Sequence, residues 1–423
     1  MKLPDRSGPP FPNPRALHRP LRRNLTPATR LTTQVVLTQL RLPKAVAILL
    51  LGGTSTLQAY DFLGSPTTEE TAEFNRFWRG WILYQNGENS ILQEFKLRGR
   101  YQGQYYDVDA RQGSDSDWED RRSRWGFDAL LFDSRLEARF DVQSNDGFRD
   151  LYDGLVDAYL RWHASESLTV TLGRTKPFIG YYDWLQSSNS QPTFERSQIF
   201  NQLQVDRATG FTIESTYHDW SWQAGVFSNS VDPDRNSFTS AFGEFNASWS
   251  LSLGLGYDFS ESTRLDRAEL HLNALHNERD ADSNLLTRYQ DIVSATWWVQ
   301  NGRWSAVAEG YWATGGEGSD GDVLGAFLQG TYDLIPKRLQ LVGRYSFALG
   351  DGIASVRGQR RYEATVSAAT GDTYQAVYLG AQYFIHGDKL KLMGGGEFAS
   401  LQGGATGRDV SGFTWLSGLR FSF

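Results

Sequence analysis

Six cations fall within three adjacent strand-like segments: Lys96, Arg98 and Arg100 in EFKLRGRYQGQYY, Arg124 in the next segment, and Arg135 and Arg139 in the third. Arg161 continues the series one segment on. In an extended chain successive side chains point to opposite faces, so charges at alternate positions line one face. The chemistry open to such a row is attraction of anions. One anion oxygen about 4 Å from a cation gains up to about 4 kcal/mol at a protein-surface dielectric, before desolvation. By parity the same polar face receives Arg344, Lys391 and Arg420, and also Glu94, Asp128, Glu137, Asp141, Asp157, Glu214, Glu309, Asp333 and Glu397. Near-equal signs allow a second reading, a wall of mutually neutralising ion pairs that holds a shape. The clustering of the first six cations, with fewer acids among them, favours anion attraction.

Covalent chemistry finds no support. A nucleophile needs a base within reach, yet the chain after residue 59 has no G-x-S-x-G, and its five histidines (His163, His218, His271, His276, His386) show no zinc-binding spacing. Cysteine is absent, so there is no disulfide framework and no thiolate metal site. No enzyme, cofactor or metal is expected. His271 reads as a hydrogen-bonding residue of the polar face.

The elements that must position these cations are strands. From residue 93 onward hydrophobicity has a period of two: Leu136, Ala138, Phe140 and Val142 alternate with Arg135, Glu137, Arg139 and Asp141, and Leu339, Leu341, Tyr345 and Phe347 with Gln340, Arg344 and Ser346. LLF at Leu130–Phe132 is continuous, and Arg174 breaks the parity of Leu168, Val170 and Leu172. Connections alternate in length. Asp133-Ser134, Asn301-Gly302, Pro336-Lys337 and Gly387-Asp388 nearly join successive strands, whereas ARQGSDSDWED, HNERDADSNLLT, GGEGSDGD and the stretch 350–372 are long and polar. Short turns alternating with long loops is the sidedness of a transmembrane barrel. Inside a bilayer every backbone polar group must be paired, so only helices or closed barrels cross. Lipid then demands the apolar face, and a wet lumen tolerates the charged one.

A soluble sandwich would turn the apolar face inward. Against it stand the regular hairpin order, the rings at strand ends (Tyr105, Tyr106, Trp125, Trp162, Trp297, Trp304, Trp312, Tyr332, Tyr383) and the terminal FTWLSGLRFSF, which resembles the assembly signal of outer-membrane proteins. The expected fold class is all-β: a transmembrane antiparallel β-barrel of 16 strands with a short N-terminal amphipathic helix. Even strand number decides between 16 and 17 candidates. The doubtful segment is SAFGEFNASWSLSLGLGYDF, readable as one strand or two.

Composition agrees. A mean hydropathy of −0.47 and no apolar run of about 20 residues exclude a helical membrane bundle. Residues 1–59 carry nine basic residues and one acid, and end in a positive flank (Arg41, Lys44), an apolar core (AVAILLLGG) and STLQA, the pattern of an export signal. Without that leader the charge is about −15, with five lysines (Lys96, Lys176, Lys337, Lys389, Lys391), so no nucleic-acid partner is expected. Residues 60–90 read as a periplasmic segment with one short helix. Thr67 and Glu70 have capping-box spacing, and Phe74, Phe77, Trp78, Trp81 and Ile82 form a stripe that packs against protein or faces a membrane interface, the former favoured. Residues 91–423 form the barrel. Some thirty residues before the first strand are too few for the plug of a TonB-dependent receptor.

One connection, PFIGYYDWLQSSNSQPTFERSQIFNQLQVD at 177–206, is too long for an ordinary turn; folded inward it would narrow a pore. Here TLGRTKPFIG, TFERSQIF and RATGF, together with LRGRYQGQYYDVD and VDAYLRW, resemble the signature segments of the phosphate-selective porin O and P family. The resemblance implies a 16-stranded, usually trimeric channel in the Gram-negative outer membrane, with its third extracellular loop folded into the lumen. Lys176, Arg196 and Arg207 are then the expected constriction residues, with the alternative that Glu195 and Arg196 pin the loop to the wall. The family's phosphate-binding members use lumenal cations in number, whereas this chain is acidic and lysine-poor. Passive uptake of small anions such as phosphate is therefore the first reading, and a general or otherwise selective porin the second. The partners implied are small anionic solutes, outer-membrane lipid and two further copies of the chain.

Overall fold

A computed structural model describes residues 68–230, 242, 244–278, 286–316, 321–405 and 408–423. The leader 1–59, Thr67 of the capping box and parts of the loops at 276–287 and 315–322 lie outside the described residues. After a helix at Thr68–Arg79, the strands in chain order are β1 (Ile82–Gln85), β2 (Leu92–Ala110), β3 (Gly113–Leu131), β4 (Leu136–Asn145), β5 (Asp150–His163), β6 (Leu168–Thr175), β7 (Ala208–Tyr217), β8 (Trp220–Ser230), β9 (Glu244–Asp258) and β10 (Arg267–Asn277). There follow β11 (Asp291–Asn301), β12 (Trp304–Thr314), β13 (Val323–Ile335), β14 (Leu339–Gly350), β15 (Val356–Arg357), β16 (Thr370–Gly371), β17 (Thr373–His386), β18 (Leu390–Gln402) and β19 (Val410–Ser422). β15 and β16 pair only with each other, within one loop. The other strands from β2 to β19 make a closed antiparallel barrel of 16, sealed where β19 pairs with β2 from Gly412↔Ala110 to Ser422↔Arg100. The doubtful segment after residue 240 yields one strand, β9.

Closure removes every free edge within the bilayer, which is why the chain can expose what it does. Leu160, Trp162, Leu172, Trp297, Trp312, Leu324, Leu328 and Leu379 all point outward and are exposed. In water such a belt would drive association; in a membrane, lipid is its solvent.

β2 runs past the end of β19, and β1 takes up the vacated edge by pairing Ile82 with Lys96. The preceding helix is fixed at this seam through its aromatic stripe. Trp78 is buried and donates its indole N–H to the Ser422 carbonyl at 2.6 Å, while the Trp81 ring stacks on the terminal Phe423 at 3.7 Å between centroids. These two rings thus have protein, rather than lipid, as their surroundings. β1 itself carries no signal in the alternation beyond residue 93.

Three expectations need correction. ARQGSDSDWED is strand rather than a long loop: β2 and β3 each run 19 residues and meet in a two-residue turn at Arg111-Gln112. About 9–11 residues suffice to cross a bilayer, so this hairpin stands well beyond it. Parity slips in β5, where a bulge opposite Asp141 and Val142 shifts the register. Leu155 and Val156, which strict alternation would divide between lipid and lumen, are both buried there. Arg174, the parity breaker, is buried and donates its Nε–H to the Leu155 carbonyl at that bulge, 3.2 Å away. Finally, the lumen is not wet all round. Val307, Tyr311, Val323 and Phe327 face inward and form an apolar core with Ile179, Tyr181, Tyr182, Ile199, Phe200 and Leu203 of the connection between β6 and β7.

Candidate functional site

That connection folds inside the barrel and is stapled there by groups from the opposite wall. Phe178 N–H donates to Ser252 Oγ at 3.0 Å, and Tyr181 N–H to Glu309 Oε1 at 2.7 Å. Gly180 between them sits at φ 64, where a Cβ would run into the Tyr311 hydroxyl and Glu309; only glycine combines that backbone with that closeness. A single π-helical turn follows at Tyr181–Leu185, and a short helix, Gln198–Leu203, packs its apolar side on the core. Arg344 donates to the Tyr182 hydroxyl (3.1 Å), Thr193 Oγ1 (3.0 Å) and the Glu195 carbonyl (2.7 Å) while pairing with Glu397 at 3.0 Å. Lys391 reaches the Gln191 carbonyl at 3.3 Å, and Arg420 the Phe194 carbonyl at 3.2 Å. Three cations assigned by parity to the lumen therefore serve as staples.

The loop fills the side of the barrel built from β12 and β13 and leaves open the side built from β2 to β7. Two cavities occupy that open side. The outer one, of 940 Å³, is bounded by the upper parts of β3 and β4, the loop, and Arg357–Arg361 of the long connection after β14. The inner one, of 500 Å³, is bounded by Arg98, Arg100, Arg139, Asp141, Asp157, Tyr159 and the far side of the loop. Four residues line both: Arg124, Lys176, Ser188 and Arg207. They lie where the two cavities adjoin. Three are cations and none is an acid. Ten basic and five acidic residues line the outer cavity, seven and four the inner one, so a chain that is acidic as a whole has a basic interior.

The cations named from sequence divide into neutralised and free. Asp128 collects three of them: Arg139 at 2.7 Å, Arg98 at 3.0 Å and Lys96 at 3.7 Å. Glu137 takes Arg139 at 3.1 Å and Arg161 at 3.7 Å. Arg207 pairs with Asp157 at 2.6 Å, and Lys176 and Arg196 both contact Asp183, the latter at 2.9 Å. The ion-pair wall thus accounts for much of the row. Arg100 and Arg124 differ, because their hydrogen bonds go to neutral groups: Arg100 to Ser188 Oγ at 2.6 Å and Arg124 to Gln143 Oε1 at 3.0 Å. Arg135, placed by parity on the wall, lies exposed in the turn 132–135 and lines neither cavity.

Glu195 pins the loop. It accepts from Arg121 Nε at 2.7 Å and Gln104 Nε2 at 3.0 Å. Burial pushes its carboxyl up, but Arg121, Arg122 and Gln104 together hold it below the usual carboxylate range. Burial brings the Arg196 guanidinium down to about 10, which leaves it charged at neutral pH. Sequence parity missed Arg121, Arg122, Arg357, Arg360 and Arg361 of the outer cavity. A register shift at Gln102 and Gly103 leaves Arg121 without a cross-strand partner and turns it toward Glu195, and bulges leave no mark in a period-two pattern. Arg360 and Arg361 sit in a non-periodic loop; their only signal was adjacency in GQRRY. Among the described residues no cluster of His, Asp and Glu could hold a metal ion.

A closed barrel with a lipid-facing apolar belt, a loop folded into its lumen and two cavities meeting at a basic cluster has the architecture of an outer-membrane channel. More narrowly, the chain belongs to the phosphate-selective porin O and P family, whose model matches residues 95–395. Solved structures with the same fold include OprB of Pseudomonas putida (11% identity, 78% of this chain and 94% of that one, TM-score 0.54), OmpF of Salmonella typhi in complex with daunomycin (12%, 81% and 100%, 0.54) and a loop L8 deletion mutant of OmpT, an outer-membrane protein of Vibrio cholerae (13%, 78% and 99%, 0.50). No curated protein matches the chain in sequence.

Proposed function

We propose that this porin is a passive channel preferring small anions, phosphate among them, and that it works as a homotrimer. The observation that carries the reading is the eyelet, where both cavities meet on Arg124, Lys176, Ser188 and Arg207 and where Arg100 and Arg124 carry charge held only by a hydroxyl and an amide. A solute moving from one cavity to the other passes these groups in a partly desolvated space, where a fixed cation attracts an anion more strongly than in bulk water. Asp141, Asp157, Asp183 and Glu214 on the inner side limit the net positive charge, and they favour a graded preference over a tight phosphate site. The trimer rests on what the family resemblance implies; a threefold monomer mass in mild detergent tests it.

The deciding measurement is the reversal potential of the purified protein in a planar bilayer across a KCl gradient. It should lie toward the chloride potential and move toward zero in Arg124→Ala and Arg100→Ala, with added phosphate reducing the chloride current. A cation-directed reversal potential in the wild type would overturn the anion reading and leave a general porin.

A further inference from the structure

We propose that Asp183 sets the selectivity of the eyelet: its buried carboxylate, shared between Lys176 and Arg196, takes up positive charge that a permeating anion would otherwise meet, and so competes with the solute from within the loop. This inference rests on the anion-preferring reading above. Asp183 is not one of the positions that strand parity selects, since it lies in the middle of the inward loop. Its side chain is 0% exposed, it contacts Lys176, and its Oδ1 is 2.9 Å from Arg196 Nη2. Neither carboxylate oxygen has a neutral hydrogen-bond partner among the described residues, so cations alone hold it. A buried carboxylate in that state is as close to a bound anion as a side chain can come.

The backbone keeps it there. Asp183 is the central residue of the π-helical turn Tyr181–Leu185, and π-type turns concentrate at functional sites because the extra residue re-aims a side chain. Its two preceding neighbours are fixed independently, Tyr181 through its N–H to Glu309 and Tyr182 through its hydroxyl to Arg344. Asp183 therefore cannot follow Lys176 or Arg196 if they turn toward a solute.

The consequence is a weakened trap. Without Asp183, the cations Arg124, Lys176, Arg196 and Arg207 would face the solute with Asp157 on Arg207 as the one acid paired with them among the described residues. Such a site would bind an anion tightly and release it slowly. Conduction needs attraction sufficient to draw the ion in and weak enough to let it leave. One internal carboxylate shared between two cations lowers the attraction while leaving Arg100 and Arg124 free to supply it.

The test uses the full-length channel with Asp183→Asn, which keeps the volume and removes the charge, and Asp183→Glu, which keeps the charge. In Asp183→Asn the reversal potential should shift further toward chloride than in the wild type, and inorganic phosphate should half-block the chloride current at a concentration lower by about tenfold. Asp183→Glu should stay near the wild type in both. An unchanged or cation-directed shift in Asp183→Asn overturns the proposal, as does an Asp183→Glu channel that departs as far as Asp183→Asn, since a purely structural role would move both alike. These are differences between variants, so a wild type that leans toward cations would defeat the parent reading while leaving the sign of the Asp183→Asn shift to judge this one.

Discussion

Arg344 shows how one residue type serves opposite ends in this lumen. On β14 it is buried, and it spends its donors on Tyr182, Thr193, the Glu195 carbonyl and Glu397. Arg100 and Arg124 sit across the barrel with the same side chain and no carboxylate partner within the described ion pairs. Removing one member of a buried pair strands the other, at a cost of about 3–5 kcal/mol. Arg344→Met should therefore lower resistance to denaturant by that order, and Arg344→Met/Glu397→Gln should recover a large part of the loss. Urea titration of the detergent-folded protein reads both. Single-channel conductance of Arg344→Met should rise as the loop loses its staple; an unaltered conductance would show that the other staples suffice. In the sequence Arg344 and Arg124 are both cations at polar-face positions, set apart only by the place of Arg124 among the first six, clustered cations. Parity says which way a side chain points; what it then meets depends on a loop some 150 residues away.

At the scale of elements, two inserted segments shape the channel: the loop after β6 and the connection 351–372 after β14. The latter carries Arg357, Arg360 and Arg361 to the outer cavity and is anchored through Glu363, which accepts from Gln359 N–H and the Tyr374 hydroxyl, each at 2.8 Å. Burial, and then the charge of Glu397, pushes the Glu363 carboxyl up to about 7. In the unfolded chain it titrates near about 4.3. Between these values the folded segment holds a proton that the unfolded one has lost. Its contribution is full below about pH 4, falls as the pH rises, and is spent above about pH 7. Protease nicking of this connection in the folded channel is expected to increase between about pH 5 and pH 8, and Glu363→Gln should flatten the profile. A wild-type profile already flat over that range would contradict the assignment. The connection was legible as a long polar loop, but its cations were not legible as channel residues, because irregular backbone carries no periodicity from which to infer a face.

Residues 92–423 form a barrel filled mainly on one side. Apolar residues of the loop pack on β12 and β13, the cavities of 940 and 500 Å³ lie against the wall made by β2 through β7, where the arginines are, and a smaller one of 190 Å³ lies between the loop and β11 to β14. On the proposed reading, solutes travel along a basic surface rather than through the middle of a symmetric pore. Fixed charge that acts through water is screened by salt, with a Debye length of about 10 Å at 0.1 M and about 3 Å at 1 M. The anion preference measured by reversal potential should accordingly be strong near 0.1 M KCl and fade toward 1 M, whereas a preference set by pore width alone would stay constant. The sign of the interior charge opposes that of the chain as a whole, so net charge would have misled a reading that stopped at composition.

The alternation of apolar and polar residues, the unequal connections and the lack of any long apolar helix were enough to determine a lipid-embedded barrel and the face on which its charges lie, because a bilayer imposes the same requirement on every strand and that requirement is local. The family could be read from TLGRTKPFIG and TFERSQIF for the same reason, since these segments are contiguous. Folding alone decided which cations remain free. Asp128 gathers Lys96, Arg98 and Arg139; Asp183 holds Lys176 and Arg196; Arg344, Lys391 and Arg420 grip the loop. Apart from those of Asp183, which lie within the connection between β6 and β7, these partnerships join residues from different strands or from a strand and the loop, and their free energy depends on distances of a few ångströms that a linear pattern does not contain.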